Sequence, residues 1–338
     1  MKKKIYLFLI MLSSVCVGKD WTWNYTKKLS VADARALSNN NYYVFVKEGT
    51  PIFTQLIFSW NAHRPKQGHY TFYVQSRNAL TKQWTKNWIK MLEWGKDIQR
   101  SHCVTTNPDA NYYYVRLEEL GSGKADAFKI KAECNDGATF ADMRLLNVCI
   151  SNLENFFHEQ EDNFNDLKSI EIRGIPKISQ FALGHEKQGS MCSTTSLAML
   201  LNFLTKTDID PLDVAKHSYD HGLGAYGSWP FNTAHAFERC NRRYFKVRRL
   251  PSFRDLHGCL SRGAPAVVSV RGSIPSAPQD YPNGHLVLVI GFSNKKVICH
   301  DPAFPVLDVR HEYELQDFLK AWERSHRLAY VVESIYLE

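Results

Sequence analysis

At 338 residues, with 44% hydrophobic and 22% charged side chains and 13 prolines, the chain has ordinary globular composition, which excludes a disordered, collagen-like or low-complexity protein. That length suits two domains better than one core. The formal charge of +8 includes Lys2, Lys3 and Lys4; without them it is +5 (8 minus 3), mildly basic, and no nucleic-acid-binding module accompanies it, so nucleic acid is not an expected partner.

In chain order, residues 1–18 combine that basic start with a nearly unbroken apolar run, Ile5 to Val17, and a terminal Gly18. This is the pattern of a secretory signal peptide. Cys16 as a lipidated cysteine is the rival reading, disfavoured because Val15 precedes it where a small residue is expected. No later stretch approaches the roughly 20 apolar residues of a bilayer span. A secreted, periplasmic or cell-envelope location without a membrane span is therefore expected.

Residues 19–165 carry short strand-like runs, at 42–46, 52–60, 70–75, 112–117, 127–133 and 144–150, broken by Gly, Pro, Asn and Asp. They predict a β-sandwich-like domain. Trp60, Trp84, Trp88 and Trp94 fall within it and read first as core, with glycan contact as their alternative use. Residues 151–170 are rich in Asn, Asp and Glu and read as a connection. Beyond them, helices are predicted at 193–204, 211–219, 232–240, 253–261 and 314–325, and strands at 266–271, 285–292, 297–299 and 328–334. Helices first and an antiparallel sheet afterwards predict an α+β domain over 166–338. The basic cluster Arg242, Arg243, Lys246, Arg248 and Arg249 reads as a solvated face near a strand.

Without Cys16 the chain keeps seven cysteines, at 103, 134, 149, 192, 240, 259 and 299. An odd count in an exported chain points to a free thiol; whether the other six are bridged or reduced stays open. With no CxxC pair or tight Cys/His cluster, neither a metal nor another cofactor is expected, and His217 and His221, four apart, read as a surface helix pair.

Cys192 opens a predicted helix, whose unpaired N–H groups and positive dipole end favour a thiolate. His285 stands at the mouth of a buried strand after Asn-Gly. Asp301 directly follows the next strand. An antiparallel hairpin turning at Asn294 and Lys295 would bring His285 and Asp301 together, giving a nucleophile, a base and a group that orients the base.

Cys-Ser-Thr-Thr-Ser-Leu-Ala-Met-Leu-Leu from Cys192, Gly-His-Leu-Val-Leu-Val-Ile-Gly-Phe around His285 and Asp-Pro-Ala-Phe from Asp301 resemble three blocks of a known family. It is the bacteriocin-processing-like branch of papain-like cysteine peptidases, cysteine-peptidase family thirty-nine. Residues 226–234, 263–270 and 275–278 resemble further stretches of its secreted members, and 59–65 with Trp84, Trp88 and Trp94 resemble their preceding β domain. The resemblance implies a papain-like fold for 166–338 and catalytic roles for Cys192, His285 and Asp301. It also implies an oxyanion-stabilising glutamine upstream; Gln180 is preferred to Gln188, which leaves only a short connection to fold an amide back. Thr194 stands where relatives often carry proline.

The expected activity is hydrolysis of peptide bonds through a thioacyl intermediate. Two alternatives stand beside it: a peptidoglycan amidase or endopeptidase acting on cell-wall peptides, and an inactive cell-surface binding protein.

Overall fold

The computed structural model describes residues 20–38, 40–121, 123–159 and 164–334. The segment read as a signal peptide, with Cys16, lies outside them. Among the described residues no helix is long and apolar enough to cross a membrane.

The first half runs β1 (Thr22–Lys28), α1 (Val31–Leu37), β2 (Tyr42–Lys47), β3 (Gln55–Ala62), β4 (His69–Asn78), β5 (Ile89–Gly95), β6 (Gln99–Ser101), β7 (Ala110–Tyr113), β8 (Arg116–Glu119), β9 (Ala125–Asn135) and β10 (Met143–Ser151). They form two five-stranded antiparallel sheets, ordered β1-β10-β3-β8-β7 and β2-β9-β4-β5-β6. Alternation explains why they meet: Leu56, Phe58 and Trp60 of β3 and Leu146, Val148 and Ile150 of β10 enter one core with Phe72 and Val74 of β4. Trp60 and Trp94 are fully buried with ring centroids 5.5 Å apart, each contributing about 2–3 kcal/mol by area. Trp84 and Trp88 are half-buried instead. The single run expected at 112–117 is broken, because Tyr114 and Val115 turn between β7 and β8 with φ of 46° and 56°. A β-branched residue in that conformation is strained, and no Gly or Asn announces the turn.

The second half contains β11 (Ile170–Glu171), α2 (Cys192–Thr205), α3 (Pro211–Ser218), α4 (Trp229–Arg239), β12 (Arg243–Arg249), α5 (Phe253–Ser261), β13 (Ala266–Gly272), β14 (Tyr281–Ser293), β15 (Lys296–His300), β16 (Arg310–Glu314), α6 (Leu315–Glu323) and β17 (Leu328–Ser334). Its sheet has the order β12-β17-β13-β14-β15-β16, with β11 paired to β14. Val267, Leu286, Leu288 and Ile290 pack with Leu197 and Leu201 of α2. Val268, Val270, Val287 and Val289 of the same strands share a second cluster with residues of α5 and α6. Gly291 is required where β11 crosses, since a Cβ there would lie 2.4 Å from the Ile170 carbonyl.

The two halves are joined through polar residues that a strand pattern leaves unexplained. β12 is an edge strand with backbone groups to satisfy. Asn61 of β3 both donates to the Phe245 carbonyl (2.7 Å) and accepts from its N–H (2.8 Å); Ser59 accepts from Val247 N–H at 3.2 Å and Asn147 donates to its carbonyl at 3.3 Å. The solvated-face expectation for the basic cluster holds at Arg242, which is exposed, and is corrected at Lys246 and Arg249. Lys246 is buried and pairs with Glu333 at 2.5 Å, and buried Arg249 binds Gln55 and the carbonyls of Ser325 and His326. Phe231 of α4 meets Trp60 edge-on at 5.8 Å, so apolar packing crosses the same boundary.

Candidate active site

The hairpin expected around residues 294 and 295 forms: β14 and β15 pair antiparallel, with Ser293 opposite Lys296, and Asn294 and Lys295 take φ of 52° and 61°, the values of a two-residue type I′ turn. Leu288 faces His300, so Asp301 leaves the sheet opposite Val287, two residues from His285. His285 Nε2 lies 2.7 Å from Asp301 Oδ1.

The imidazole also interacts with the Cys192 thiol. Since Nε2 is taken by Asp301, Nδ1 is the nitrogen left for sulfur. The structure thus brings Cys192, His285 and Asp301 into one chain of contacts, with His285 and Asp301 buried and Cys192 partly so.

Cys192 is the first residue of α2, and Met191 before it supplies no side-chain cap. The hydroxyls after it do not cap the helix N-terminus. Thr194 and Thr195 bond back to the Met191 carbonyl at 3.1 and 2.8 Å. Ser196 donates to the Leu286 carbonyl at 2.9 Å, and Ser193 meets Tyr330 at 2.9 Å. Ser196 thus ties the helix start to β14, which bears His285, and Ser193 ties it to β17. Helix N–H groups are left free of side-chain oxygens, and the amides of Ser193 and Leu286 point at the sulfur.

The protonation pattern follows. Burial alone would raise the Cys192 pKa, but the hydrogen bond and charge of His285, with those two amides, hold it below its ordinary value. Burial would lower the pKa of His285; Asp301 and Cys192 override it and raise it. Burial also works against ionised Asp301, yet His285, Tyr313 and the Ala303 amide keep its pKa low. No disulfide occurs among the described residues, so Cys192 is one of seven free thiols. What sets it apart is this sign: burial pushes Cys134 up to about 12 and raises Cys240, Cys259 and Cys299 as well.

Two tyrosines completing the site were not read from sequence. Asp301 Oδ2 accepts from Tyr313 at 2.6 Å and Tyr281 at 3.3 Å, while Oδ1 also accepts the Ala303 N–H at 2.8 Å. Tyr281 stacks on the His285 ring with centroids 4.1 Å apart and planes 13° from parallel. Tyr281 opens β14 four residues before His285, and Tyr313 reaches Asp301 across the neighbouring strand. Neither carries a local motif.

Of the two glutamines, Gln180 is buried and Gln188 is not. The Gln180 amide N–H bonds the Pro302 carbonyl at 2.8 Å. Its Nε2 donates to the Gln188 and Gly189 carbonyls, each at 3.1 Å, so it spans from the Asp301 loop to the loop entering Cys192. A cleft of about 480 Å³ has Asn283, two residues before His285 on β14, in its wall. Its lining includes Ser228, Trp229, Arg271 and Asn283 from the second half and Tyr114 and Arg116 from the β7–β8 hairpin.

Residues 172–330 match the Peptidase C39 like family. This segment is a C39-like, papain-like cysteine peptidase domain. Among solved structures, the C39-like domain is similar to a C39-like peptidase from Bacillus anthracis, at 17% identity and a TM-score of 0.40, over 49% of this chain and 97% of that one. A double glycine motif protease from an AMS/PCAT transporter, solved with its leader peptide, is similar at 17% identity and a TM-score of 0.33, over 49% of this chain and 99% of that one. No curated protein matches the chain.

The reading of His217 and His221 as a surface helix pair is corrected. His221 lies beyond the end of α3 and meets Tyr219 edge-on at 5.0 Å, so the helix pair with His217 does not form. His217 faces Asp213 and His235 instead.

Proposed function

We propose that the chain is an exported peptidase that cleaves peptide bonds with Cys192 as nucleophile, His285 as base and Asp301 as the group that orients and charges the imidazole. The observation carrying this is His285, held between a thiol and a buried carboxylate that accepts four hydrogen bonds. His285 takes the thiol proton, and sulfur attacks the amide carbonyl carbon. The tetrahedral anion collapses with cleavage of the C–N bond as His285 protonates the departing amine. Water then attacks the thioester, giving the acid and regenerating the thiol. Gln180 is assigned to the oxyanion, its carboxamide exchanging one carbonyl of the 188–189 loop for the developing charge. Export is supported by the Lys2–Lys4 and Ile5–Val17 pattern.

Purified protein should release new amino termini from a peptide library, and Cys192→Ala should abolish this. Release of cell-wall cross-link peptides alone would favour the peptidoglycan endopeptidase reading. Failure on both, with Cys192 alkylated no faster than a free thiol, would favour the inactive binding protein.

Glycan contact has one supporting observation. In the front half, read as a β-sandwich over 19–165, a pocket of about 490 Å³ is lined by Trp84, Asn78 and Asp109 together with Ser76, Thr85 and Glu119. Thr85 Oγ1 is buried there without a hydrogen-bond partner, beside Ser76 and Glu119, whose side chains interact with each other. An indole beside buried hydroxyl and carboxyl groups suits a sugar ring. Trp84→Ala should lose co-sedimentation with peptidoglycan while peptide cleavage persists; unchanged sedimentation rejects this contact.

A further inference from the structure

Asp213 and His217 lie one turn apart on α3, and His235 projects from α4 towards them. Each of the three can offer one donor atom, and these atoms lie within 4.8 Å of one another. His235 is the informative member. It is 3% exposed, and neither ring nitrogen has a hydrogen-bond partner. Buried imidazole nitrogens are ordinarily paired; Nδ1 has only the Glu238 carboxylate, 3.7 Å away, and the unpartnered Nε2 beside Asp213 and His217 points to a ligand.

We propose that Asp213, His217 and His235 form a binding site for a zinc-type divalent transition-metal ion. Two imidazoles and one carboxylate are the donor set of such ions, and too poor in oxygen for calcium or magnesium. The surroundings have the form of an outer shell. His217 Nδ1 is 2.8 Å from the Asp213 main-chain carbonyl, which fixes its proton there and leaves Nε2 to ligate. His235 Nδ1 faces Glu238 Oε2 at 3.7 Å, and Glu238 is itself held by the Arg64 N–H at 3.0 Å and the Arg64 guanidinium at 3.5 Å. Arg239 lies 3.8 Å from the other Asp213 oxygen, and an ion would compete with it for that carboxylate.

The two rings now stand parallel, 6° apart, with centroids 5.2 Å from one another. Bonds of about 2.0–2.1 Å require tetrahedral donors to close to about 3.4 Å, so the rings must tilt towards each other. Asp213 and His217 can move, with side chains 38% and 43% exposed; His235 is fixed by its burial. A pocket of about 330 Å³ lined by His217, His221, Lys216 and Gln99 adjoins the site and leaves room for a water or solute as fourth ligand. The ion would join α3 to α4 where Arg64 and Gln99 of the front half bond the His217 carbonyl, at 3.3 and 2.9 Å. Its role is to stiffen that joint, and it is independent of the catalytic reading.

The test uses chelator-treated full-length Cys192→Ala protein, so that the thiol beside His285 binds nothing. Zinc is titrated by competition with a chromophoric chelator, cobalt by visible absorption, and melting is followed with and without zinc. One equivalent should bind, melting should rise, and His217→Gln, at a half-exposed position, and His235→Gln should each weaken binding at least about 100-fold. Zinc binding that is absent, or that survives both substitutions, overturns the site. If His235→Gln fails to fold, His217→Gln and Asp213→Asn decide the matter.

Discussion

Tyr313 donates its hydroxyl hydrogen to Asp301 Oδ2 at 2.6 Å, the carboxylate oxygen that His285 does not use. With Tyr281 on the same oxygen and the Ala303 amide on the other, Asp301 is ionised although fully buried. Tyr313 therefore acts through Asp301 as a positioning residue. Tyr313→Phe should lower kcat by about tenfold, the worth of one hydrogen bond to a charged group, with KM little changed. The acid limb of the pH profile should also move upward, since a less stabilised Asp301 supports the imidazolium less; a purely structural tyrosine would leave that limb in place.

The thiol and imidazole define a second expectation. Cys192 sits below and His285 above its ordinary pKa, so the thiolate–imidazolium pair exists between the two values. Alkylation by iodoacetamide, measured in a Cys103→Ser background to remove the exposed thiol, should set in at lower pH than for a free thiol of pKa about 8.5. Asp301→Asn should move that profile towards the ordinary thiol range by weakening the support for the charged imidazole.

For the oxyanion role, Gln180→Ala should lower kcat about 10²-fold or more with Cys192 alkylation preserved. Equal loss of both would show instead that Gln180 only holds the 188–189 loop. Gln188→Ala should do neither, because it is the Gln188 main-chain carbonyl, not its side chain, that meets Gln180.

The second half was largely legible because each signal is local. α5 and β17 have the expected bounds, and the hairpin at 294–295 was recoverable from two turn residues flanked by apolar strands. The site's three central residues carried their own blocks. Residues answering to distant partners were harder to read. β12 was hidden because Lys246 and Arg249 look like surface, whereas Glu333 and Gln55, far away in sequence, make them interior. Tyr281 and Tyr313 were missed for the same reason. His235 looked like any helical histidine until α3 placed His217 beside it.

Glu119 gives the front half its own pH dependence. Burial, opposed by a hydrogen bond from Ser76 and reinforced by Asp109, pushes its carboxyl from 4.5 up to about 7. A raised carboxyl pKa means the folded state binds the proton more tightly than the unfolded state. The stability it contributes is complete below pH 4.5, falls as pH rises towards about 7, and is gone above it. Melting temperature should decline across that window, by a free energy on the order of 3 kcal/mol if Glu119 acts alone. Glu119→Gln should flatten the decline; an unchanged slope would assign it to other groups.

Asp220 ties the halves together at one fully buried carboxylate. Its Oδ1 accepts from the Ser101 and Gly222 N–H groups, both at 2.8 Å, and from Leu223 N–H at 3.3 Å. Its Oδ2 accepts from the Ser101 hydroxyl at 2.6 Å and the Ser228 hydroxyl at 2.5 Å. The contact is close enough that a Cβ at Gly222 would lie 1.9 Å from the Ser101 carbonyl. Ser228 precedes Trp229, and both line the cleft, so this carboxylate sets the cleft wall as well as the joint. Asp220→Ala would strand five donors and should cost about 3–5 kcal/mol in urea unfolding. Peptide cleavage by the surviving folded fraction should show a raised KM with alkylation of Cys192 unaffected, because the thiol and imidazole are held by α2 and β14 rather than by the joint.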